Sequence, residues 1–165
     1  IKRLVSVHYT SNVIPDVFFK DCINLEEVTF ETTNLTSIGS EAFKNCYKLN
    51  NLSPLFVSGT IGQSAFENCT ALTSITVEVS SINSIDIFKG CTSLEEANTN
   101  KLGVSMFENC TSLEEVNVSS IFSVTLEKSR SLWIVTSEVH PWNISVAEVI
   151  ESVSIPSIFT SDEQP

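Results

Sequence analysis

The stretch Phe107-Glu108-Asn109-Cys110-Thr111-Ser112-Leu113-Glu114-Glu115-Val116-Asn117-Val118 decides the fold, because the chain contains it more than once. Phe66-Glu67-Asn68-Cys69-Thr70-Ala71-Leu72-Thr73-Ser74-Ile75-Thr76-Val77 repeats it with a few changes, and so does Phe19-Lys20-Asp21-Cys22-Ile23-Asn24-Leu25-Glu26-Glu27-Val28-Thr29-Phe30. A unit that recurs every ~20 residues is the signature of a solenoid.

Indexed on Cys22, Cys46, Cys69, Cys91 and Cys110, the units are separated by 24, 23, 22 and 19 residues. Three positions before each cysteine stands Phe19, Phe43, Phe66, Phe88 or Phe107, and three after it Leu25, Leu49, Leu72, Leu94 or Leu113. Six after it come Val28, Leu52, Ile75, Ala97 and Val116. Eight before it come Ile14, Ile38, Ile61, Asn83 and Leu102, with Ile82 filling the slot after a one-residue slip in the fourth unit. Stepping back 24 residues lays Ile1 on Leu25, Leu4 on Val28 and Ile14 on Ile38, so the chain is expected to start halfway through a unit. At the other end, Leu126–Val135 overlays Phe107–Val116 at a gap of 19, with Ser129 in the cysteine slot. A further unit carries Val139, Ile144, Ala147, Ile150, Val153 and Ile155. The predicted organisation is one solenoid over residues 1–156, a half unit plus seven units, with a frayed tail over 157–165.

Within a unit the hydrophobic period changes. Leu25, Val28 and Phe30 space as a strand entered from a bend, with Glu27 and Thr29 on the other face. The +3, +3 spacing of Phe, Cys and Leu suits a short helical or 3₁₀ turn. Ile38-Gly39 and Ile61-Gly62 suit a brief extended piece ended by a turn. One such unit buries too few side chains to offset the entropy of ordering it, so units must stack. The shrinking gaps remove residues between strand and next Phe, which thins the outer wall toward the C-terminus.

With 42% hydrophobic and 18% charged residues the composition is that of a folded domain. A net charge of −11 argues against nucleic acid, whose phosphates need a Lys/Arg surface. No apolar run approaches the ~18–20 residues of a membrane span.

At Ile61-Gly62-x-x-Ala65-Phe66-x-x-Cys69-x-x-Leu72-x-x-Ile75-x-Val77, and again over Ile38–Cys46, the chain resembles the BspA-like, or treponemal-type, leucine-rich repeats, whose unit reads I-G-x-x-A-F-x-x-C-x-x-L-x-x-I-x-I-P. The resemblance covers residues 14–118 strongly and 119–156 faintly. It implies an α/β repeat fold: a curved leucine-rich-repeat solenoid with one parallel β-strand per unit of 18 to 24 residues and short helical or 3₁₀ turns. It also implies a cell-surface or extracellular binding or adhesion protein of bacteria or parasitic protists, whose partner is a protein such as a host matrix or cell-surface component. The family brings no catalytic residues and no cofactor. Further repeats of a longer chain are expected.

The residues themselves agree with a non-catalytic module. The five cysteines form no C-x-x-C pair, and Ser and Ala stand in the same slot, so a column of small buried residues is expected rather than a zinc site or disulfide set. His8 and His140 sit in no metalloprotease or nucleophile motif. The candidate binding surface is the exposed strand stripe: Glu26, Glu27 and Thr29; Asn50, Asn51 and Ser53; Thr73, Ser74 and Thr76; Glu95, Glu96 and Asn98; Glu114, Glu115 and Asn117. Trp133 and Ile134 fall in the same columns of the sixth unit, where Trp133 is either an aromatic anchor of the kind that dominates binding surfaces or, if the register of that unit is shifted or the tail folds over it, a covered residue. The alternative is an architectural spacer in a longer surface protein, with the binding elsewhere. Six N-x-S/T sequons stand at Asn34, Asn51, Asn68, Asn109, Asn117 and Asn143, and matter only in an exported eukaryotic protein.

Overall fold

The computed structural model describes residues 4–32, 34–52, 55–81, 85–119, 123–129 and 132–137. Each unit begins with a strand of the main face. These strands are β1 (Ser6–Tyr9), β3 (Glu27–Phe30), β6 (Asn51–Leu52), β8 (Ser74–Ser81), β9 (Glu96–Thr99) and β10 (Glu115–Ser119). A second set of extended pieces forms the flank: β2 (Val13–Ile14), β4 (Asn34–Leu35), β5 (Ser37–Ile38) and β7 (Leu55–Thr60). Pairing is parallel throughout these units, with β1-β3-β6 in one sheet, β10-β9-β8-β7-β4 in another, and β2-β5 extended by an Ile38–Ile61 bridge. The expected parallel-strand solenoid is therefore what the backbone builds.

The predicted interior columns are real. The rings of Phe19, Phe43, Phe66, Phe88 and Phe107 stack with centroids 5.1, 4.9, 5.2 and 5.7 Å apart and planes within 17°. All five are buried, as are the cysteine and leucine columns beside them. At the first unit the stack ends in edge-on packing: Tyr9 and Phe18 meet Phe19 at 5.7 and 4.8 Å.

Among the described residues there is no helix, so the structure confirms the parallel-strand solenoid and not the helical or 3₁₀ turns. Each Phe-to-Leu segment instead makes three separate turns. In the first unit these are closed by Lys20 N–H to Val17, Cys22 N–H to Phe19 and Leu25 N–H to Cys22 carbonyls, at 3.1, 3.1 and 2.9 Å. Two left-handed residues per unit prevent a continuous helix. Val17, Glu41, Ser64, Asp86 and Ser105 have φ of 50–60°, and Asp21, Asn45, Asn68, Gly90 and Asn109 have φ of 59–71°. The second set occupies the third position of the Phe-to-Cys turn, where a left-handed residue defines type II and favours Asn or Gly. These kinks turn alternate amides toward the next unit. Val17, Phe19 and Asp21 donate to Ser40, Ala42 and Lys44 at 2.9, 2.7 and 2.9 Å, and the pattern recurs up the wall.

Two expectations need correction. The first strand lies 21 residues before its neighbour, not 24: Val7, not Leu4, pairs with Val28, while Ile14 does pair with Ile38. The extra residues sit in the bend after Phe30. The sixth unit is not a parallel rung. β11 (Ser123–Ser129) runs antiparallel to β10, and β12 (Leu132–Ser137) antiparallel to β11, so Ser129 lies opposite Leu132 and outside the cysteine column. Val135 does fall in the row of Val116, as the overlay implied, but through Leu126 and one strand further out. The strand-to-Phe stretch shortens to the point where β9 is too short to follow β8. The Asn100 side chain takes the place of backbone there, accepting from Val79 N–H at 3.0 Å and donating to Val79 C=O at 2.9 Å. Ile1, Ile82, Asn83, the seventh unit over 139–156 and the tail over 157–165 lie outside the described residues.

Phe66→Ala removes the middle of the ring stack and is expected to cost about 3–5 kcal/mol in urea unfolding. Asn68→Ala loses both an inter-unit amide bond and a residue tolerant of positive φ. It is expected to destabilise by about 1–2 kcal/mol, and Asn68→Gly by less, a difference that the same urea transitions measure.

Candidate binding surface on the strand face

The strand face takes its side chains from alternate residues of β1, β3, β6, β8, β9 and β10, because the inward set (Val28, Ile75, Val77, Ala97, Thr99, Val116 and Val118) is buried. Every predicted candidate within the described side chains faces outward. Asn51, Ser74, Glu95, Glu96 and Glu114 are exposed; Glu27, Thr29, Thr76, Asn98, Glu115 and Asn117 are half-buried by their neighbours. Parallel register brings them into rows: Ser6, Glu27 and Asn51 in one, and Ser74, Glu96 and Glu115 in another. Trp133 is placed by its backbone in β12, opposite Lys128 of β11; its side chain lies outside what is described.

Hydrogen bonds tie the rows together. Asn51 Nδ2 donates to Glu27 Oε1 at 2.8 Å, Asn98 Nδ2 to Glu96 Oε1 at 2.8 Å, and Asn117 Nδ2 to Asn98 Oδ1 at 3.0 Å. Thr29 Oγ1 lies 3.1 Å from His8 Nδ1. Toward the C-terminal end the rows are carboxylate on carboxylate. Glu96 and Glu115 are direct register partners ~4.8 Å apart, and no salt bridge reaches Glu95, Glu96, Glu114 or Glu115 among the residues whose side chains are described, which leave out Lys128 of the neighbouring β11. Like charges directly opposite one another are destabilising.

The turn wall is arranged the other way. Lys20 bonds Glu41, Lys44 bonds Glu41 and Glu67 at 3.2 and 2.9 Å, and Lys89 bonds Glu108 and Asp86 at 2.9 and 3.8 Å. The Lys20 and then the Lys44 hydrogen bond hold the Glu41 carboxyl below the usual range. The Glu67 and then the Glu41 hydrogen bond hold the Lys44 ammonium above its ordinary value. An amide ladder accompanies the ion pairs, with Asn45 Nδ2 donating to Asp21 at 2.8 Å and Asn68 Nδ2 to Asn45 at 3.0 Å. At Gly90 it stops: a Cβ there would stand 2.4 Å from Asn68 Oδ1.

The cysteines are free and buried, as expected. The thiol has a role that the sequence reading, which asked only for a small residue, missed. Cys46, Cys69, Cys91 and Cys110 each donate S–H to the carbonyl of the phenylalanine one unit earlier, at 3.1, 3.3, 3.2 and 3.1 Å. Burial, and then the neighbouring Cys22, push the Cys46 thiol up to about 12; burial pushes Cys69 and Cys91 well above their ordinary value. Such thiols are poor nucleophiles and poor metal ligands. Among the described residues no group of His, Cys, Asp and Glu has a metal-binding arrangement, and no helix is long and apolar enough to cross a membrane.

Comparison with known proteins points the same way as the geometry. A family model described as "BspA type Leucine rich repeat region" matches residues 12–129 in 6 copies. Among solved structures, a leucine-rich-repeat protein of T. pallidum, TpLRR, superposes with a TM-score of 0.56 at 22% identity. The match covers 68% of this chain and 58% of that one, so the chain spans little more than half of that protein's length. No curated protein matches the chain.

The wall charges set a pH dependence. Because Glu41 is depressed in the folded state, its contribution is full above the unfolded glutamate value of ~4.3 and is lost as pH falls through the folded one. Because Lys44 is raised, its contribution is full below the unfolded lysine value of ~10.4 and is lost as pH rises through the folded one. Lys44→Met is therefore expected to flatten the loss of thermal stability between neutral pH and pH ~3. An unchanged slope would show that these partly exposed pairs contribute nothing.

Proposed function

As this chain belongs to the BspA-type leucine-rich-repeat family, we propose that it is a protein-binding module of a cell-surface or secreted protein, engaging a macromolecular partner through the strand face. The observation that carries this reading is the unequal treatment of charge. On the turn wall Lys20, Lys44 and Lys89 each meet a carboxylate. On the strand face Glu96 and Glu115 sit in direct register, flanked by Glu95 and Glu114, and none of the four has a salt bridge among the residues whose side chains are described. A surface that keeps mutually repelling groups side by side suits a partner that brings the missing cations. The partner's contacting segment is accordingly Lys/Arg-rich, and distributed contacts along the rows, rather than one pocket, give recognition. A host matrix or cell-surface component fits that chemistry and the resemblance to this family. No catalytic step is proposed.

The spacer reading gives the contrasting outcome. The quadruple variant Glu95→Gln, Glu96→Gln, Glu114→Gln and Glu115→Gln is expected to weaken binding of a fluorescent Lys-rich peptide, and of purified matrix proteins, at least about tenfold. Its salt dependence should fall as well, while its melting temperature holds or rises because repulsion is removed. If wild type and variant bind these probes equally, or neither binds, the strand face is not the recognition surface.

A further inference from the structure

Where the flank meets the C-terminal half of β8, the register sets Asn34 beside Phe56 and Phe56 beside Glu78 on three adjacent strands. Alternation leaves Leu35, Val57 and Val79 buried and sends Asn34, Phe56 and Glu78 outward. Phe56 is 38% exposed in a row that is otherwise polar. It lies in a shallow open groove of about 210 Å³ lined also by Ser58, Glu78, Ser80 and Asn100, enough for a single pyranose ring.

Asn34-Leu35-Thr36 is a sequon, and in extended backbone its Asn and Thr project to the same side. Both are exposed, and among the described residues the hydrogen bonds at Asn34 are those of its backbone to Thr32. The other described sequons differ. The amides of Asn51, Asn68 and Asn117 donate to Glu27, Asn45 and Asn98. Asn109 is exposed, but the hydroxyl of its Thr111 is turned to Thr92 O at 3.5 Å.

We propose that Asn34 is an N-glycosylation site whose first sugar packs on the exposed ring of Phe56, its hydroxyl and acetamido groups meeting Ser58, Glu78 and Ser80. The donor is a lipid-diphosphate-linked oligosaccharide in a eukaryotic secretory compartment. A bond forms between Asn34 Nδ2 and the anomeric carbon while the bond from that carbon to the diphosphate breaks. The lipid diphosphate leaves with the electron pair, and Nδ2 loses one proton to the transferase. Carbohydrate faces and aromatic rings associate through burial and dispersion, which accounts for an aromatic at this otherwise polar place. The glycan would clothe the flank and leave the acidic rows open. The inference shares with the proposed function only the exported location, which the experiment supplies with a leader.

The intact chain is secreted from eukaryotic cells behind that leader, and Asn34 occupancy is read by glycopeptide mass spectrometry. A second form keeps Asn34 as its one sequon through Ser53→Ala, Thr70→Ala, Thr111→Ala, Ser119→Ala and Ser145→Ala, which spares the amide ladders. Asn34 is expected to be occupied, and enzymatic removal of the glycan is expected to lower the melting temperature by about 2 °C. With Phe56→Ser added, that decrease should shrink by at least half. An unoccupied Asn34 in the intact chain overturns the proposal, as does an equal decrease with and without Phe56. Peptide binding by the strand face is measured separately and bears on neither result.

Discussion

Everything in this molecule depends on neighbouring units being held at one backbone spacing on both sides of the core at once. On one side the parallel strands fix it. On the other, amides at Phe19, Phe43, Phe66 and Phe88 reach the carbonyls of Ala42, Ala65, Ile87 and Met106 at 2.7–2.9 Å. Rings attached to those residues can then only lie one over another, and they do. The cysteine thiol closes the arrangement by bonding the phenylalanine carbonyl that already accepts a turn amide. Interior filling and backbone pairing are thus one constraint, which explains why the Phe and Cys positions keep their identity through the five parallel units while the exposed strand positions change freely.

That freedom is what allows a surface to be specified. The strand face can carry any polar residue without disturbing the stack, since its side chains project away from the buried columns. The wall pairs its lysines with carboxylates, whereas the strand face sets Glu96 beside Glu115. A charge pattern of this kind governs encounter rate and selectivity more than it governs folding.

The fold was legible because its evidence was periodic: Phe, Cys and Leu recur at fixed offsets, and a buried column leaves that mark in any sequence. The strand-face residues were legible for the same reason, as the positions between buried ones. What escaped was local backbone geometry. Asn45, Asn68 and Asn109 stand before the cysteine where a left-handed residue is required, a signal present in the sequence but passed over in favour of the +3 spacing. The unit after Val118 was misread because Leu126, Leu132 and Val135 match the columns by hydrophobicity, and an antiparallel hairpin uses the same alternating pattern as a parallel strand. Hydrophobic register fixes which row a residue joins; it does not fix chain direction. The three-residue difference at the N-terminus has a related origin, since bends between columns leave no hydrophobic mark to count.

The amide ladder of the turn wall has a direction. Asn68 gives to Asn45 and Asn45 gives to Asp21, a carboxylate that accepts without needing anything to give to. Because both of its junctions have the same polarity, a unit duplicated between Asn45 and Asn68 would again give an amide to an amide in this ladder. Gene duplication can therefore lengthen such a protein without inventing a new ladder contact, and the length of its strand face becomes a quantity that recombination, rather than point mutation, adjusts.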